Sequence, residues 1–404
     1  MKAYIPYGGY WASPFARWQG ELAHLHSLEL AAHVSREALK RRNISPDIFD
    51  CGAYGLTVPQ KSCFYGMPWF GGMIGAERLT GPTINQACAT GARLLAAAAG
   101  EIAVDAAATA LVVSGDRCSN GAHIYYPAPH APGGTGEAEN WVLDSFANDP
   151  WAKCAMVDTA ENVARRDGID TAEQHELVLV RFEQYRKALE NEAAFQRRFM
   201  PLPFEVPDAK FKKTQTVMQS DTGVYPSTAE GLAKLKPVRA GGSVTFGGQT
   251  HPADGMAAAI VVGSAERAAE LASDRAIEIE IISFGQARED KGYMPAAPIL
   301  ASKMSLQRAG LGIGDITAIK SHNPFAVNDI AFARAFGIDW QRMNNFGCSL
   351  IWGHAQGPTG LRTIIELIEE LALSGGGYGL FQGCAAGDSS MALVLKVSDA
   401  GNRA

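Results

Sequence analysis

Ile84-Asn85-Gln86-Ala87-Cys88-Ala89-Thr90-Gly91 joins an apolar, strand-like approach to the helix-prone run Ala92-Arg93-Leu94-Leu95-Ala96-Ala97-Ala98-Ala99. Small residues on both sides of Cys88 make the junction a tight turn, and the spacing predicts a helix from Cys88 to about Ala108. A cysteine at a strand-to-helix junction faces the unpaired N–H groups of the first helical turn. Their partial positive charge favours thiolate over thiol. Cys88 is therefore a candidate nucleophile, with a buried packing cysteine as the alternative reading.

Working outward, the helix is followed by a predicted strand, Ala110-Leu111-Val112-Val113-Ser114-Gly115. A second region repeats the unit. A glycine-rich turn from Gly353 to Gly360 opens a run whose apolar residues at 361, 364, 365, 368 and 371 form one helical stripe. The strands Gly379–Cys384 and Ser390–Leu395 follow as a hairpin-like return. Alternating strands and helices in two such units imply α/β layers and an internal duplication. Between them, roughly Arg117 to Gly242 is rich in charge, proline and aromatics, with an amphipathic helix expected over Thr171–Asn191. A span this long is expected to fold as an inserted subdomain rather than as a loop. Lys210, Lys212 and Lys213 within it read either as a solvated face or as a phosphate contact for a nucleotide-like ligand.

The bulk numbers set limits. At 404 residues, with 47% apolar and 19% charged residues, the chain is expected to be an ordinary globular protein with a large core. A net charge of −6 argues against general nucleic-acid binding. The seven cysteines are scattered and contain no CxxC pair, which argues against a metal cluster or a disulfide framework and for a reducing compartment. The start, Met1-Lys2-Ala3-Tyr4-Ile5-Pro6, lacks a signal pattern, and no run is long enough to span a membrane. A cytoplasmic location is expected.

Further segments fall into one order: Ser13-Pro14-Phe15; Gln86 to Gly91; Met156-Val157-Asp158-Thr159-Ala160-Glu161-Asn162-Val163-Ala164; and Thr228-Ala229-Glu230-Gly231-Leu232-Ala233-Lys234-Leu235-Lys236-Pro237. They continue with Gly242-Ser243-Val244-Thr245, Ala253-Asp254-Gly255, His322-Asn323-Pro324-Phe325-Ala326, Gly353-His354 and Gly383-Cys384-Ala385-Ala386-Gly387. Nearly end to end, this series resembles the thiolase family, which makes or cleaves 3-oxoacyl-CoA thioesters (acetyl-CoA acyltransferases, 3-oxoacyl-CoA thiolases).

The resemblance implies a duplicated five-layer α/β/α/β/α fold with an inserted loop domain. Its N-terminal half would comprise 1–116 and 243–270, the loop domain 117–242, and the C-terminal half 271–404. It implies Cys88 as the nucleophile, His354 as the group that takes its proton, and Cys384 as the base at the α-carbon of an acyl-CoA. His322 with His354 would serve one thioester oxygen, and the backbone N–H groups of Cys88 and Ala386 the other. Met156, Ser243, Phe246, Thr250 and Phe325 would contact substrate or CoA, with Lys212 and Lys213 near the phosphates. Cys118 and Cys348 fall on no catalytic position and read as packing residues. No metal and no permanently bound cofactor are implied, CoA being a substrate. The family forms dimers, many of them paired into tetramers.

The chain departs from the family pattern around the acyl and CoA sites. Ala355 follows the histidine where a proline is usual, and Ala386 replaces a glycine of the last turn. Phe246 stands where a small residue is usual, Thr250 replaces a serine, and Ala155 replaces a histidine. The arginine expected after Asp221 is missing. Phe246, Tyr125, Tyr126 and the aromatic run Cys63–Ile74 hint at a bulky or aromatic acyl group, although interface packing also explains that run. With His322 these features are similar to the benzoylsuccinyl-CoA thiolase type, some members of which work with a small OB-fold, zinc-ribbon partner. The expected activity is degradative thiolysis. A ketosynthase-like condensing enzyme and a non-catalytic acyl-CoA-binding subunit are the alternatives.

Overall fold

Two strands rich in alanine and β-branched residues, Thr109–Arg117 and Ala253–Val262, are buried almost throughout and anchor a large mixed sheet. The architecture is that of a computed structural model describing residues 2–402. Met1, Arg403 and Ala404, the outermost ends of the two expected halves, lie outside the described residues. Along the chain the main strands are β1 (Ala3–Tyr4), β2 (Cys51–Gly55), β3 (Thr83–Ile84), β4 (Thr109–Arg117) and β5 (Ala253–Val262). They continue as β6 (Ile277–Arg288), β7 (Ile316–His322), β8 (Gly376–Ala385) and β9 (Ser389–Asp399). Their order is β7-β8-β9-β6-β1-β5-β4-β2-β3, with the short segments Tyr10–Ala12 and Ala16–Arg17 paired onto β5.

The pairings repeat. In the first half β2 runs parallel to β4, and β4 antiparallel to β5. In the second, β7 runs parallel to β8, and β8 antiparallel to β9. A single short strand joins them, since Tyr4 of β1 pairs with Val262 of β5 on one side and Glu280 of β6 on the other.

The helices that matter for the site are α1 (Ser27–Arg41), α2 (Thr90–Ala103), α3 (Met156–Asp167), α4 (Thr171–Ala188), α5 (Ala297–Ala309), α6 (Ala326–Phe336) and α7 (Gly357–Leu373). Helices α2 and α7 pack on each other and on strands of both halves. They form the middle layer between the two sheet halves. Helix α1 covers the outer face of β4 and β5, and α5 that of β6 and β9. The resulting α/β/α/β/α order is the five-layer duplicated arrangement expected from the sequence.

Position in the middle layer changes the reading of α7. Not only its apolar stripe but every residue from Gly357 to Leu371 is buried. The polar face is covered by charged partners instead. Arg362 packs against the rings of both Phe15 and Trp352 and makes a fully buried bidentate pair with Asp221, at 2.5 and 2.8 Å. Glu369 accepts from Tyr10 Oη at 2.6 Å and from Arg198 Nε at 2.5 Å. Buried charges persist only when paired and hydrogen-bonded, and these are. Asp221 is thereby committed to holding the loop onto α7.

Between Arg117 and Ala253 the chain leaves the large sheet. Val163 of α3 and Leu177 and Tyr185 of α4 join one core cluster with Phe325, Ile330 and Trp352. The helix expected to reach Asn191 ends at Ala188, because Asn191, Glu192 and Ala193 take positive φ and reverse the chain. No helix among the described residues is long and apolar enough to cross a membrane. All seven cysteines are free.

The middle layer depends on a close crossing. A Cβ at Gly91 of α2 would lie 2.3 Å from the backbone N of Leu361 and 3.0 Å from the carbonyl O of Gly357. Gly100, on the same helix, has nothing within 4 Å. Gly91→Ala should therefore lower stability by about 1–3 kcal/mol through overpacking. Gly100→Ala should leave it unchanged or raise it by about 0.5–1 kcal/mol through helix propensity. Paired urea denaturation curves check this, and equal effects at the two sites would contradict it.

Candidate active site

The turn before α2 is held by its own polar groups. Asn85 Oδ1 accepts from Ala87 N at 2.9 Å, and the Thr90 hydroxyl donates to Ala87 O at 2.7 Å while accepting from Gln86 N at 2.8 Å. Ala87 takes a φ of 46°, which turns the chain sharply and presents Cys88. The helix begins at Thr90, two residues later than expected. Cys88 stands just ahead of the N-cap.

His354 reaches Cys88 from the second half. Its Nε2 lies 3.1 Å from Cys88 Sγ, and its Nδ1 lies 2.8 Å from Thr359 Oγ1. Thr359 belongs to the first turn of α7, so the helix that crosses α2 also orients the imidazole. Behind both stands Asp116, near the end of β4. Its carboxylate accepts from Thr57 N and Oγ1, from Val58 N at 3.0 Å and from Gly357 N at 2.9 Å. It ties the loop after β2 to the start of α7.

His322 ends β7 and Cys384 lies near the end of the adjacent parallel strand β8, where His322 is registered with Gly383. His322 stacks on His354 with ring centroids 4.2 Å apart. Its Nδ1 pairs with Ser349 Oγ at 2.9 Å, and its buried Nε2 has no hydrogen-bond partner among the described residues. Asn328 Nδ2, on α6, donates to Cys384 Sγ at 3.3 Å. The backbone N–H groups of Ala386 and of Cys88 itself are directed at the Cys88 sulfur. Ala386 keeps an ordinary φ, and the left-handed step falls on Gly387, at 78°. The methyl group at 386 is accommodated without strain.

Burial decides the resting charge state, against the expectation of a thiolate. Desolvation pushes the Cys88 thiol up to about 12, outweighing the two N–H groups that lower it. Burial also lifts Cys384 well above the ordinary thiol range. His322 is lowered to about 3 by the same cause, and His354 falls well below 6.5 through burial and then the neighbouring His322. Burial thus works against the charged form at all four groups.

In front of Cys88 and His354 lies a cavity of about 830 Å³. Trp141, Val142, Phe146, Val178, Leu350 and Ile351 supply much of an apolar wall. Met156, Phe246, Thr250 and Phe325 line it as expected, with Phe246 largely exposed. Ser243 does not line it: the Glu161 carboxylate accepts from its backbone N–H at 2.8 Å and turns the segment inward. Lys212 and Lys213 also lie off it, in a hairpin whose Phe211 packs on His33 of α1. No lysine or arginine lines the cavity among the described residues. Tyr125 and Tyr126 sit on an exposed hairpin, and Phe64 and Tyr65 on the outside, so the aromatic wall comes from Trp141 and Phe146 instead. Sequence reasoning missed Asp116, Trp141, Phe146 and Gln356, the last with its amide oxygen 3.6 Å from Cys88 Sγ.

A neutral resting thiol has a kinetic consequence. Alkylation of Cys88 by iodoacetamide, followed by peptide mapping, should accelerate about tenfold per pH unit from pH 6 to 9 without a plateau. A plateau with its midpoint below pH 7 would mean a resting thiolate–imidazolium pair and contradict the burial argument.

Comparison with known proteins agrees with this geometry. The family described as thiolase, N-terminal domain, matches residues 11–265, and thiolase, C-terminal domain, matches 276–397. The beta-ketothiolase BktB of Cupriavidus necator is 27% identical over 93% of this chain and 95% of its own length. The acetyl-CoA acetyltransferase of Escherichia coli is 28% identical, over 94% and 95%. The crystal structure of human mitochondrial 3-ketoacyl-CoA thiolase superposes with a TM-score of 0.88 at 25% identity, covering 98% of each chain. With both family domains matched in order across nearly its whole length, the chain belongs to the thiolase family of acyltransferases.

Proposed function

We propose that the protein cleaves a 3-oxoacyl-CoA with CoA, in the degradative direction, through an acyl-Cys88 intermediate. The observation that carries this reading is the 3.1 Å contact between Cys88 Sγ and His354 Nε2 at the floor of an apolar cavity. His354 is neutral and can take the thiol proton provided Nδ1 holds its own, donated to Thr359 Oγ1.

The sulfur attacks the 3-oxo carbon, and the N–H groups of Cys88 and Ala386 hold the oxyanion that forms. Collapse of this adduct breaks the bond between C2 and C3 and leaves the acyl group on Cys88. The departing acyl-CoA enolate places its oxygen near Nε2 of His322 and the protonated His354. For His322 to donate from Nε2, its Nδ1 must accept a hydrogen bond from the Ser349 hydroxyl, at 2.9 Å. Cys384 then protonates the enolate carbon. A thiol whose pKa is raised by burial is protonated and ready for that task. The proton that His354 took from Cys88 passes to the Cys384 thiolate and restores the thiol. CoA next attacks the acyl-Cys88 carbonyl, its thiol proton passes by way of His354 to the Cys88 sulfur, and the shortened acyl-CoA leaves.

The cavity favours a bulky, apolar or aromatic acyl group. Trp141, Phe146 and Leu350 give a wide hydrophobic wall, and burial of such a group is worth about 25 cal/mol per Å². CoA itself would enter past Phe246 and Met156.

Cys384→Ala should lower thiolysis of a 3-oxoacyl-CoA by about 10²- to 10⁴-fold, the usual worth of a positioned acid or base. Exchange of labelled CoA into an acyl-CoA, which needs only Cys88 and His354, should persist. Full thiolysis in that variant would overturn the acid/base assignment. In the unaltered protein, faster cleavage of acetoacetyl-CoA than of any aromatic 3-oxoacyl-CoA would overturn the bulky-acyl assignment.

A further inference from the structure

Gln356 stands where the local backbone asks for glycine. Its φ of 57° and ψ of −113° lie in the positive-φ region that favours glycine, and Gln356 O accepts from Thr359 N at 3.1 Å. A glutamine held in that conformation is strained, and the strain has a visible consequence. The side chain is aimed at the reacting sulfur, with Oε1 3.6 Å from Cys88 Sγ. The residue is only 7% exposed, lines the cavity, and its Nε2 has no hydrogen-bond partner among the described residues. A buried amide donor without an acceptor is unfavourable unless something that enters the cavity supplies one.

The oxyanion at Cys88 already faces two backbone donors, on the side of Ala386. Gln356 lies on the turn between His354 and α7 and lines the same cavity. An acyl group bonded to Sγ carries its first substituents within reach of that amide. We propose that Gln356 is a specificity-determining residue, and that the acyl group loaded on Cys88 bears an uncharged acceptor oxygen, a hydroxyl or keto group, on the carbon next to the thioester. The acceptor is uncharged because the cavity wall offers no lysine or arginine to neutralise a carboxylate. The rest of the acyl group is apolar, matching the wall formed by Trp141 and Phe146. This rests on the thiolase reading of the same site and narrows its substrate class.

Mandelyl-CoA and phenylacetyl-CoA make a matched pair, since they differ only in one hydroxyl at that carbon. CoA release in the first turnover, read for each donor, reports loading of Cys88. The protein should load mandelyl groups at least about tenfold faster, because a site built around a substrate oxygen discriminates against the analogue lacking it. Gln356→Met, close to isosteric, should bring the ratio of the two rates to within about threefold. Gln356→Gly should collapse the ratio in the same way while raising Tm, because glycine relieves the strained φ. A ratio near one in the unaltered protein, or equal slowing of both donors in Gln356→Met, would overturn the assignment. If neither donor nor acetyl-CoA loads Cys88, the thiolase reading itself fails and this assignment with it.

Discussion

Helices α2 and α7 cross where neither carries a side chain, and the rest of the site depends on that approach. At Gly91 the backbones are so close that one methyl group would fall 2.3 Å from Leu361 N, and a Cβ at Gly360 would lie 3.6 Å from both Ala92 N and Cys88 O. Cys88 stands two residues before the start of one helix and His354 three residues before the other. Bringing two helix starts from two halves of a duplicated fold within backbone contact sets the sulfur and the imidazole 3.1 Å apart. Neither half contains the pair. Asp116 reinforces the arrangement by gripping both the loop after β2 and Gly357, and Arg362 with Asp221 pins α7 from its far side.

The same packing that creates the pair removes water from it. Desolvation favours the uncharged forms of both thiols and both imidazoles. Fixed dipoles act more strongly in such an environment than in water, because they need no reorganisation when the charge forms. Thr359 and Ser349 each pair with Nδ1 of one of the two histidines, and the backbone N–H groups of Cys88 and Ala386 are directed at the Cys88 sulfur. The cavity beyond is apolar, with Gln356 as an unpaired donor beside the sulfur.

Much of the fold was legible because its signals are local. The turn at Cys88, the strand from Ala110, the repeat at Gly353 to Gly360 and their alternation are contained in short windows, and each corresponds to an element within a few residues. The residues Cys88, His322, His354 and Cys384 were legible from motif order, and the structure brings them to one place. What local reading missed was burial. The polar face of α7 looks solvent-exposed in sequence, yet it is covered by Asp221, Tyr10 and Arg198 from distant segments. At Cys88 desolvation opposes the thiolate that an exposed helix start would favour, and that too is invisible in a short window of sequence. Ser243, Lys212 and Lys213 were chosen by type and position in the chain, but their backbones are held by Glu161 and Asp208, away from the cavity. Trp141, Phe146 and Gln356 carry no local signal at all, because they acquire their role only by meeting Cys88 across the fold.

On the proposed mechanism, Cys88 accepts an acyl group because His354 from the other half is there to take its proton. Intact-protein mass spectrometry after rapid mixing with acetyl-CoA and a set of aromatic acyl-CoAs, followed by peptide mapping, tests this directly. A thioester adduct on Cys88 that forms readily in the unaltered protein and at least about a hundredfold more slowly in His354→Asn is the predicted result. An adduct carried by another of the seven cysteines, or one on Cys88 that forms equally fast without the imidazole, would contradict it.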